Sequence, residues 1–278
     1  MDKFENYRAL HVPGDPFILA NVWDVGSARM LAGMGTKALA TSSAALAFVQ
    51  GSRDMGTISR DDALAHAEEI VAATALPVQG DFENGFGDDP DTVAETVRLA
   101  GEIGLAGICV EDICYTDNRP YPLELATERM RAGAYAAQSL GRDFFFVARA
   151  DGVMNGLYGM EEALTRVQAF DKAGADGLYV PLPPSMADLA RICAATKKPV
   201  NALAAGAFTA ATLADFAAAG VARISLGSAL ARATHRVIFD AAEAMLTKGD
   251  FSPLAQSIAG DQVQDLIDRG APSGTGRG

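Results

Sequence analysis

The chain has 278 residues, 49% of them apolar and 21% charged, and a formal net charge of -12 at pH 7. That apolar fraction supports a sizeable core and excludes a disordered chain, and the length suits a single α/β barrel of about 250 residues. The acidity weighs against a nucleic-acid partner but not against a local cationic pocket for a small anion; no apolar run of about 18 residues exists for a membrane span, and the start Met1-Asp2-Lys3-Phe4-Glu5 has no signal-peptide region, so a cytoplasmic location is expected.

After a short helix near 2–10, strand-like and amphipathic runs alternate along the chain. Strands are predicted at 17–23, 38–44, 77–83, 107–112, 144–150, 177–181, 199–204 and 223–228. Each is short, apolar and bounded by Gly, Pro or polar residues, as buried parallel strands are. Helices are predicted near 25–34, 60–74, 90–103, 124–140, 160–173, 186–196, 209–219 and 229–247. Gly104, Gly141, Gly174 and Gly220 stand where helices stop, and Ser59 and Thr209 where they start. Met30, Leu31, Met34 and Phe144–Phe146 read as barrel core. Strand then helix, eight times over, predicts a (β/α)8 TIM barrel over 1–249. A doubly wound sheet is disfavoured, because no Gly-x-Gly-x-x-Gly follows the first strand. The segment 253–268 reads as an extra amphipathic helix within a C-terminal extension, 250–270. The Gly-rich tail, 271–278, reads as disordered.

In a barrel, residues at the C-terminal strand ends converge on one pocket. Asp81 and Glu83 sit two apart at the end of the third strand, so strand periodicity puts both on one face. The glycines of Gly80-Asp81-Phe82-Glu83-Asn84-Gly85-Phe86-Gly87 allow a close loop beside them. Paired oxygen ligands with open space suit a hard cation such as Mg²⁺. The other strands bring Trp23-Asp24, Thr41-Ser42-Ser43-Ala44, Glu111-Asp112, Arg149 with Asp151, Asn201, and Leu226-Gly227-Ser228. Clustered acids repel one another unless a cation sits among them, and an arginine grips a carboxylate through two hydrogen bonds. The set reads as a pocket for a small anionic carboxylate chelated to a divalent metal. The plainer alternative is an Arg149–Asp151 structural pair with Asp24 as a helix cap. Cys109 reads as core, and three scattered cysteines are too few for a disulfide framework or zinc cluster.

These residues resemble the isocitrate lyase/phosphoenolpyruvate mutase superfamily over nearly the whole chain. The resemblance rests on Asn21-Val22-Trp23-Asp24, Thr41-Ser42-Ser43, Asp81-Phe82-Glu83-Asn84-Gly85-Phe86-Gly87, Val110-Glu111-Asp112, Val147-Ala148-Arg149-Ala150-Asp151 and Arg223-Ile224-Ser225-Leu226-Gly227-Ser228. It implies a barrel with Mg²⁺ (Mn²⁺ also suits) at the mouth, chelating a 2-oxo or 2-hydroxy acid. It implies homo-oligomers, tetramers or dimers, that exchange a C-terminal helix. It further implies a metal shell of Asp81, Glu83 and Glu111, with Asp54 as a nearby acid. Arg149 becomes the ligand of the carboxylate or enolate oxygen, the amides around Ser42, Ser43 and Ala44 the carboxylate cradle, and Asn201 a substrate-side residue.

The departures are informative. The lyases carry Lys-x-Cys-Gly-His after strand 4; here the loop reads Ile113-Cys114-Tyr115-Thr116-Asp117-Asn118-Arg119-Pro120, without lysine or histidine. Cys114 comes too early for the family's acid cysteine and reads as a plain loop cysteine. The strand-6 glutamate of the lyases is absent too. The phosphonate enzymes use a lysine-bearing loop ending in Asn-Ser, and only Asn118 falls near it. The shared chemistry is formation and collapse of a pyruvate-type enolate. Decarboxylation asks least of this loop, because CO₂ leaves without an acid catalyst. The expectation is a Mg²⁺-dependent lyase of a 2-oxo or 2-hydroxy dicarboxylate, with oxaloacetate decarboxylation the simplest case. A carbon–phosphorus enzyme and a non-catalytic metabolite-binding barrel are the alternatives. Trp23, Asn118 and His235 complete the substrate-side candidates; His235, near the start of the last barrel helix, can face either the mouth or solvent. His11 is placed at the end of the first helix, and His66 on a charged helix face.

Overall fold

The computed structural model describes residues 2–272. Its strands are β1 (Phe17–Asn21), β2 (Leu39–Ala40), β3 (Val78–Asp81), β4 (Gly107–Glu111), β5 (Ile113–Cys114), β6 (Arg119–Pro120), β7 (Phe145–Arg149), β8 (Gly177–Tyr179), β9 (Val200–Leu203) and β10 (Arg223–Ser225). Eight of them close into a barrel in the order β1-β10-β9-β8-β7-β4-β3-β2, while β5 and β6 form a separate pair. This is the expected (β/α)8 barrel. Barrel strands are apolar on both faces because one face fills the interior and the other meets a helix; β4 is accordingly buried at every residue.

Helix α1 (Lys3–Ala9) begins with a capping box in which the Asp2 side chain accepts from the Glu5 amide and Glu5 returns to the Asp2 amide. It closes the N-terminal end of the barrel by inserting Tyr7, fully buried, edge-on to Phe17 and Phe145. The outer layer contains α2 (Val25–Gly33), α4 (Arg60–Ala73), α5 (Pro90–Glu102), α6 (Leu123–Gln138), α7 (Met160–Ala173), α8 (Met186–Ala194) and α9 (Leu213–Ala218). Ser59 caps α4 as expected, and Gly174 ends α7 in the left-handed region at φ 102°.

Several boundaries differ from the sequence reading. The second strand is only Leu39–Ala40; Ser42 then caps a short helix, α3 (Ser43–Val49), by accepting from the Ala45 amide. The third strand ends at Asp81, not at residue 83. Phe82 turns into the core, and Glu83 is left-handed at φ 47°. Thr209 lies in a 3₁₀ turn, and the cap of α9 is Thr212, paired with Asp215 in a capping box. Phe144–Phe146 are core, but Met34 is 67% exposed at the end of α2.

The C-terminal part departs most. After β10 runs α10 (Ala229–Lys248), whose Val237, Ile238, Phe239 and Leu246 are all solvent-exposed. A 3₁₀ turn at Ser252–Gln256 follows, then α11 (Gly260–Gly270). The extra helix α11 packs on α2 of its own chain, whereas α10, which touches the 3₁₀ turn after it, leaves these apolar side chains uncovered by the described residues. Of the expected disordered tail, 273–278 lies outside the described residues.

The α2–α11 contact is backbone-close: a Cβ on Gly33 would stand 2.1 Å from the Leu266 carbonyl oxygen. Gly33→Ala therefore forces the helices apart, an overpacking cost of about 1–3 kcal/mol that outweighs alanine's helix preference of about 1 kcal/mol or less. Urea unfolding should show a net loss of stability; an unchanged or raised midpoint would show that the contact yields freely.

Candidate active site

A cavity of about 230 Å³ occupies the barrel and opens at the C-terminal ends of the strands. Arg149, at the end of β7, is its central charge. Nη1 lies 3.1 Å from Glu111 Oε2 at the end of β4 and 3.7 Å from Asp81 Oδ1 at the end of β3. Nε donates to Asp151, two residues on. The guanidinium also sits 5.4 Å over the Tyr179 ring. Burial opposes its charge, but Asp151, Glu111 and Asp81 outweigh burial and hold the guanidinium protonated. The Arg149–Asp151 pair read as the plainer alternative is thus real, and it is one arm of a larger cluster.

Asp81 is the hub of the adjoining wall. Its Oδ2 accepts from both the amide (3.0 Å) and hydroxyl (2.9 Å) of Ser43, and its own amide donates to Thr41 Oγ1. Glu83 Oε1 accepts from the Gly56 amide at 3.1 Å. Burial, then the charges of Asp81 and Asp54, push Glu83 up to about 7. Burial raises Asp54 as well, with Asp81 adding to it. Glu111 is raised well above its usual range by burial, then by Asp151 and Asp81. Asp54, Glu83 and Glu111, each raised by burial and by carboxylates beside it, make an electrostatic conflict that a cation relieves. Among the described residues no three His, Cys, Asp or Glu side chains close into a preformed cluster. Mg²⁺ holds several waters and one or two carboxylates, so an open set fits it better than a closed cage would.

Asp54, Asp81, Arg149, Asn201 and residues 42–44 line the cavity. Glu83 lines a smaller adjoining pocket with Asp81, and Glu111, 3% exposed, stands behind Arg149. The cradle is narrower than expected: Asp81 takes the Ser43 amide, which leaves the amides of Ser42 and Ala44 without a protein acceptor among the described residues.

Three further candidates, besides Glu83 and Glu111, fall outside the cavity lining. Trp23 is half-buried, and its carbonyl accepts from His66 Nε2 at 2.9 Å. Asn118 is exposed in the turn between β5 and β6, left-handed at φ 48°, because Cys114 pairs with Arg119 and pushes the intervening residues out. His235 is exposed on α10, its ring 5.8 Å from Phe48. Asp24 is the cap of α2.

The structure adds residues that sequence reasoning missed. Asn21 ties three elements: Oδ1 accepts from the Leu226 and Gly227 amides, and Nδ2 donates to the Thr41 carbonyl. Its place in Asn21-Val22-Trp23-Asp24 was the available signal. Tyr115 reaches from the β5–β6 turn to donate to Glu111. His66 sits with Asp81 and Glu83 in the adjoining pocket rather than only on a charged face. Cys114 is buried near Asp88 rather than a plain loop residue. Behind the site, fully buried Asp112 accepts from Arg166 (3.0 Å), Tyr158 Oη (2.8 Å) and the Asp151 amide (2.9 Å).

Fold and site together place the chain among the isocitrate lyase/phosphoenolpyruvate mutase barrels. A family model described as phosphoenolpyruvate phosphomutase matches residues 7–246, and the chain belongs to that family. An uncharacterized protein of Mycobacterium tuberculosis (strain H37Rv) is 29% identical over 93% of this chain and 95% of its own length. The oxaloacetate decarboxylase of Rhodopseudomonas palustris (strain BisB18) is 26% identical over 91% of this chain and 88% of its own. Among solved structures, a candidate lyase/mutase from Burkholderia cenocepacia J2315 superimposes with a TM-score of 0.90 at 39% identity, covering 94% of each chain.

Asp112 and Arg166 are both buried, so removing one partner strands the other. Arg166→Met should cost about 3–5 kcal/mol, whereas breaking the exposed Arg236–Asp240 pair should cost at most about 1 kcal/mol. Denaturant unfolding of the two variants checks this; equal losses would refute a buried ion pair behind the site.

Proposed function

We propose that this barrel is a Mg²⁺-dependent lyase of a small 2-oxo dicarboxylate, with oxaloacetate decarboxylation the simplest reaction. The supporting observation is Arg149 fixed among Asp81, Glu111 and Asp151 on the cavity wall. Asp81 would hold the ion directly, with Glu83, Glu111 and Asp54 around it through waters; Mn²⁺ would serve in the same place. When bound, the ion supplies positive charge to the substrate's carboxylate and 2-oxo oxygens.

The chain's own residues do the rest. Arg149 faces the C2 oxygen and stabilises the charge that grows there as the C3–C4 bond breaks. Its electron pair passes into the enolate, CO₂ departs, and a proton added at C3 gives pyruvate. Ala44 offers its amide to the proximal carboxylate. Asp151 and Glu111 keep the guanidinium in place, and Asp112 fixes Asp151 through its amide. The β5–β6 hairpin carries no lysine or histidine. That favours loss of CO₂ over cleavage of a hydroxy acid, which requires a base for the hydroxyl proton. The relative named an oxaloacetate decarboxylase supports the same reading.

We also propose that residues 1–249 form the catalytic unit, 250–270 its extension, and that the protein is a homo-oligomer in which α10 is the exchanged helix. Its exposed apolar side chains, and Ile18 of β1, 50% exposed, support that reading.

Pyruvate release from oxaloacetate should require Mg²⁺ and vanish with chelator and in Asp81→Asn. Arg149→Lys should lower kcat/KM by about 10²–10³. Turnover of phosphonopyruvate but not oxaloacetate would overturn the reading in favour of carbon–phosphorus chemistry. Light scattering should give a dimer or tetramer, and Ile238→Asp with Phe239→Asp should give a monomer; a monomeric parent would refute the exchange.

A further inference from the structure

We propose that Arg223 forms a second anion subsite at the floor of the cavity, which receives the distal carboxylate of the substrate. The identity of that occupant rests on the reading above; the subsite itself rests on the chemistry of Arg223.

Arg223 is the first residue of β10 and is 3% exposed. Every partner it has is formally neutral. Nε donates to Asn201 Oδ1 at 2.8 Å. Nη1 faces Gln79 Oε1 at 2.6 Å, Tyr7 Oη at 3.1 Å and His11 Nε2 at 3.3 Å. His11 donates through Nδ1 to the Tyr7 carbonyl, which leaves Nε2 as the acceptor. Burial, then Arg223 itself, holds His11 well below its usual range, so it stays neutral. Burial pushes Tyr7 up to about 12, so it stays neutral too. Among the described residues no carboxylate pairs with this guanidinium.

A buried charge without a counter-charge is costly, and structures keep one only where something compensates it. Arg149 and Arg166 show the ordinary solution in this same protein, each held by carboxylates. Arg223 differs in a second way. Its Nη2 makes no hydrogen bond among the described residues, and the residue is part of the cavity lining. A free donor edge of a fixed guanidinium therefore meets the space that the substrate fills. Below it, Tyr7 and His11 lock the arm, so little side-chain freedom is lost on binding.

Register places this subsite relative to the first one. Arg149 pairs with Tyr179, Tyr179 with Asn201 and Asn201 with Arg223, a single row across four neighbouring strands. The acids lie on β3 and β4, at the other side of Arg149. The cavity is thus polarised, with carboxylates at the lip and an uncompensated cation at the floor. A molecule with a metal-chelating 2-oxo acid at one end and a carboxylate at the other matches that polarity; a monocarboxylate leaves Arg223 bare.

The subsite can be tested with and without metal. In chelator, malonate should raise the melting temperature of the wild type, by much less that of Arg223→Lys, and not that of Arg223→Met. Equal shifts in wild type and Arg223→Met, or no shift in the wild type, would overturn the proposal. Should Arg223→Met not fold, wild-type crystals soaked in malonate decide: a carboxylate on Nη2 supports the subsite, and malonate elsewhere or absent refutes it. With Mg²⁺, Arg223→Met should bind 3,3-difluorooxaloacetate about 10–100-fold more weakly, the loss of one charge-assisted contact. Oxalate, which has no distal group, should change by less than about twofold. If neither ligand needs Mg²⁺ while malonate still depends on Arg223, the metal-dependent reading fails and the floor subsite stands.

Discussion

The site depends on one arrangement: the Arg149 guanidinium held among carboxylates from separate parts of the barrel. Asp81 comes from β3, Glu111 from β4 and Asp151 from the turn after β7, and only closure of the sheet brings them together. Each charge is largely out of water, so each would cost several kcal/mol alone. Together they satisfy one another and fix the geometry of the lip. The support extends outward, since Asp112 holds the Asp151 amide and Arg166 holds Asp112. A chain of charge thus runs from the outer helix α7 to the cavity wall. It gives the guanidinium a fixed direction, which stabilisation of a developing oxyanion requires.

Much of this was legible in the sequence, because a barrel converts strand order into convergence. Reading Asp81, Glu111 and Arg149 as strand ends was enough to predict one pocket. What failed to show were features that the local pattern contradicts. Asp81 and Glu83 were expected on one face by strand alternation, yet the strand stops at Asp81 and a left-handed Glu83 brings the second acid round. Helix α3 was hidden because Thr41-Ser42-Ser43-Ala44 reads as a polar strand end, while Ser42 acts as a cap. Asn118 was drawn in by motif position, and His235 by its place near the start of the last barrel helix. One is pushed out by hairpin pairing and the other carried away by a projecting helix, and neither effect has a local signature. Arg223 lay inside a quoted motif without any role, since its neutral partners come from α1, β3 and β9.

The two ends of the barrel are built to different electrostatic rules. At the lip, burial and neighbouring carboxylates raise the proton affinity of Glu83 and Glu111, an arrangement that suits binding a cation. At the floor, Tyr7, His11, Gln79 and Asn201 surround a cation with neutral acceptors. α1 makes this possible: Tyr7 and His11 both come from it or its end, and His11 stacks on Phe145 at 3.8 Å. The helix that closes the barrel bottom is therefore also the helix that shapes the floor of the cavity.

The hairpin at the mouth shows how such a scaffold can change its reaction without moving its charges. Tyr115 donates to Glu111, so the hairpin is tied to the acid cluster by a hydroxyl that burial and the neighbouring glutamates keep protonated. A protonated tyrosine can close a site and exclude water, but it offers no base for a hydroxyl proton. A lysine or histidine on the same hairpin would bring acid–base chemistry to the same cavity. In the proposed reaction the charges that would stabilise an enolate sit on rigid strand ends, whereas the groups that would choose its leaving partner sit on a two-residue-per-strand hairpin. Substitution at its exposed residues 116–119 is cheap in stability, and that would separate the step the barrel makes feasible from the substrate it is performed on.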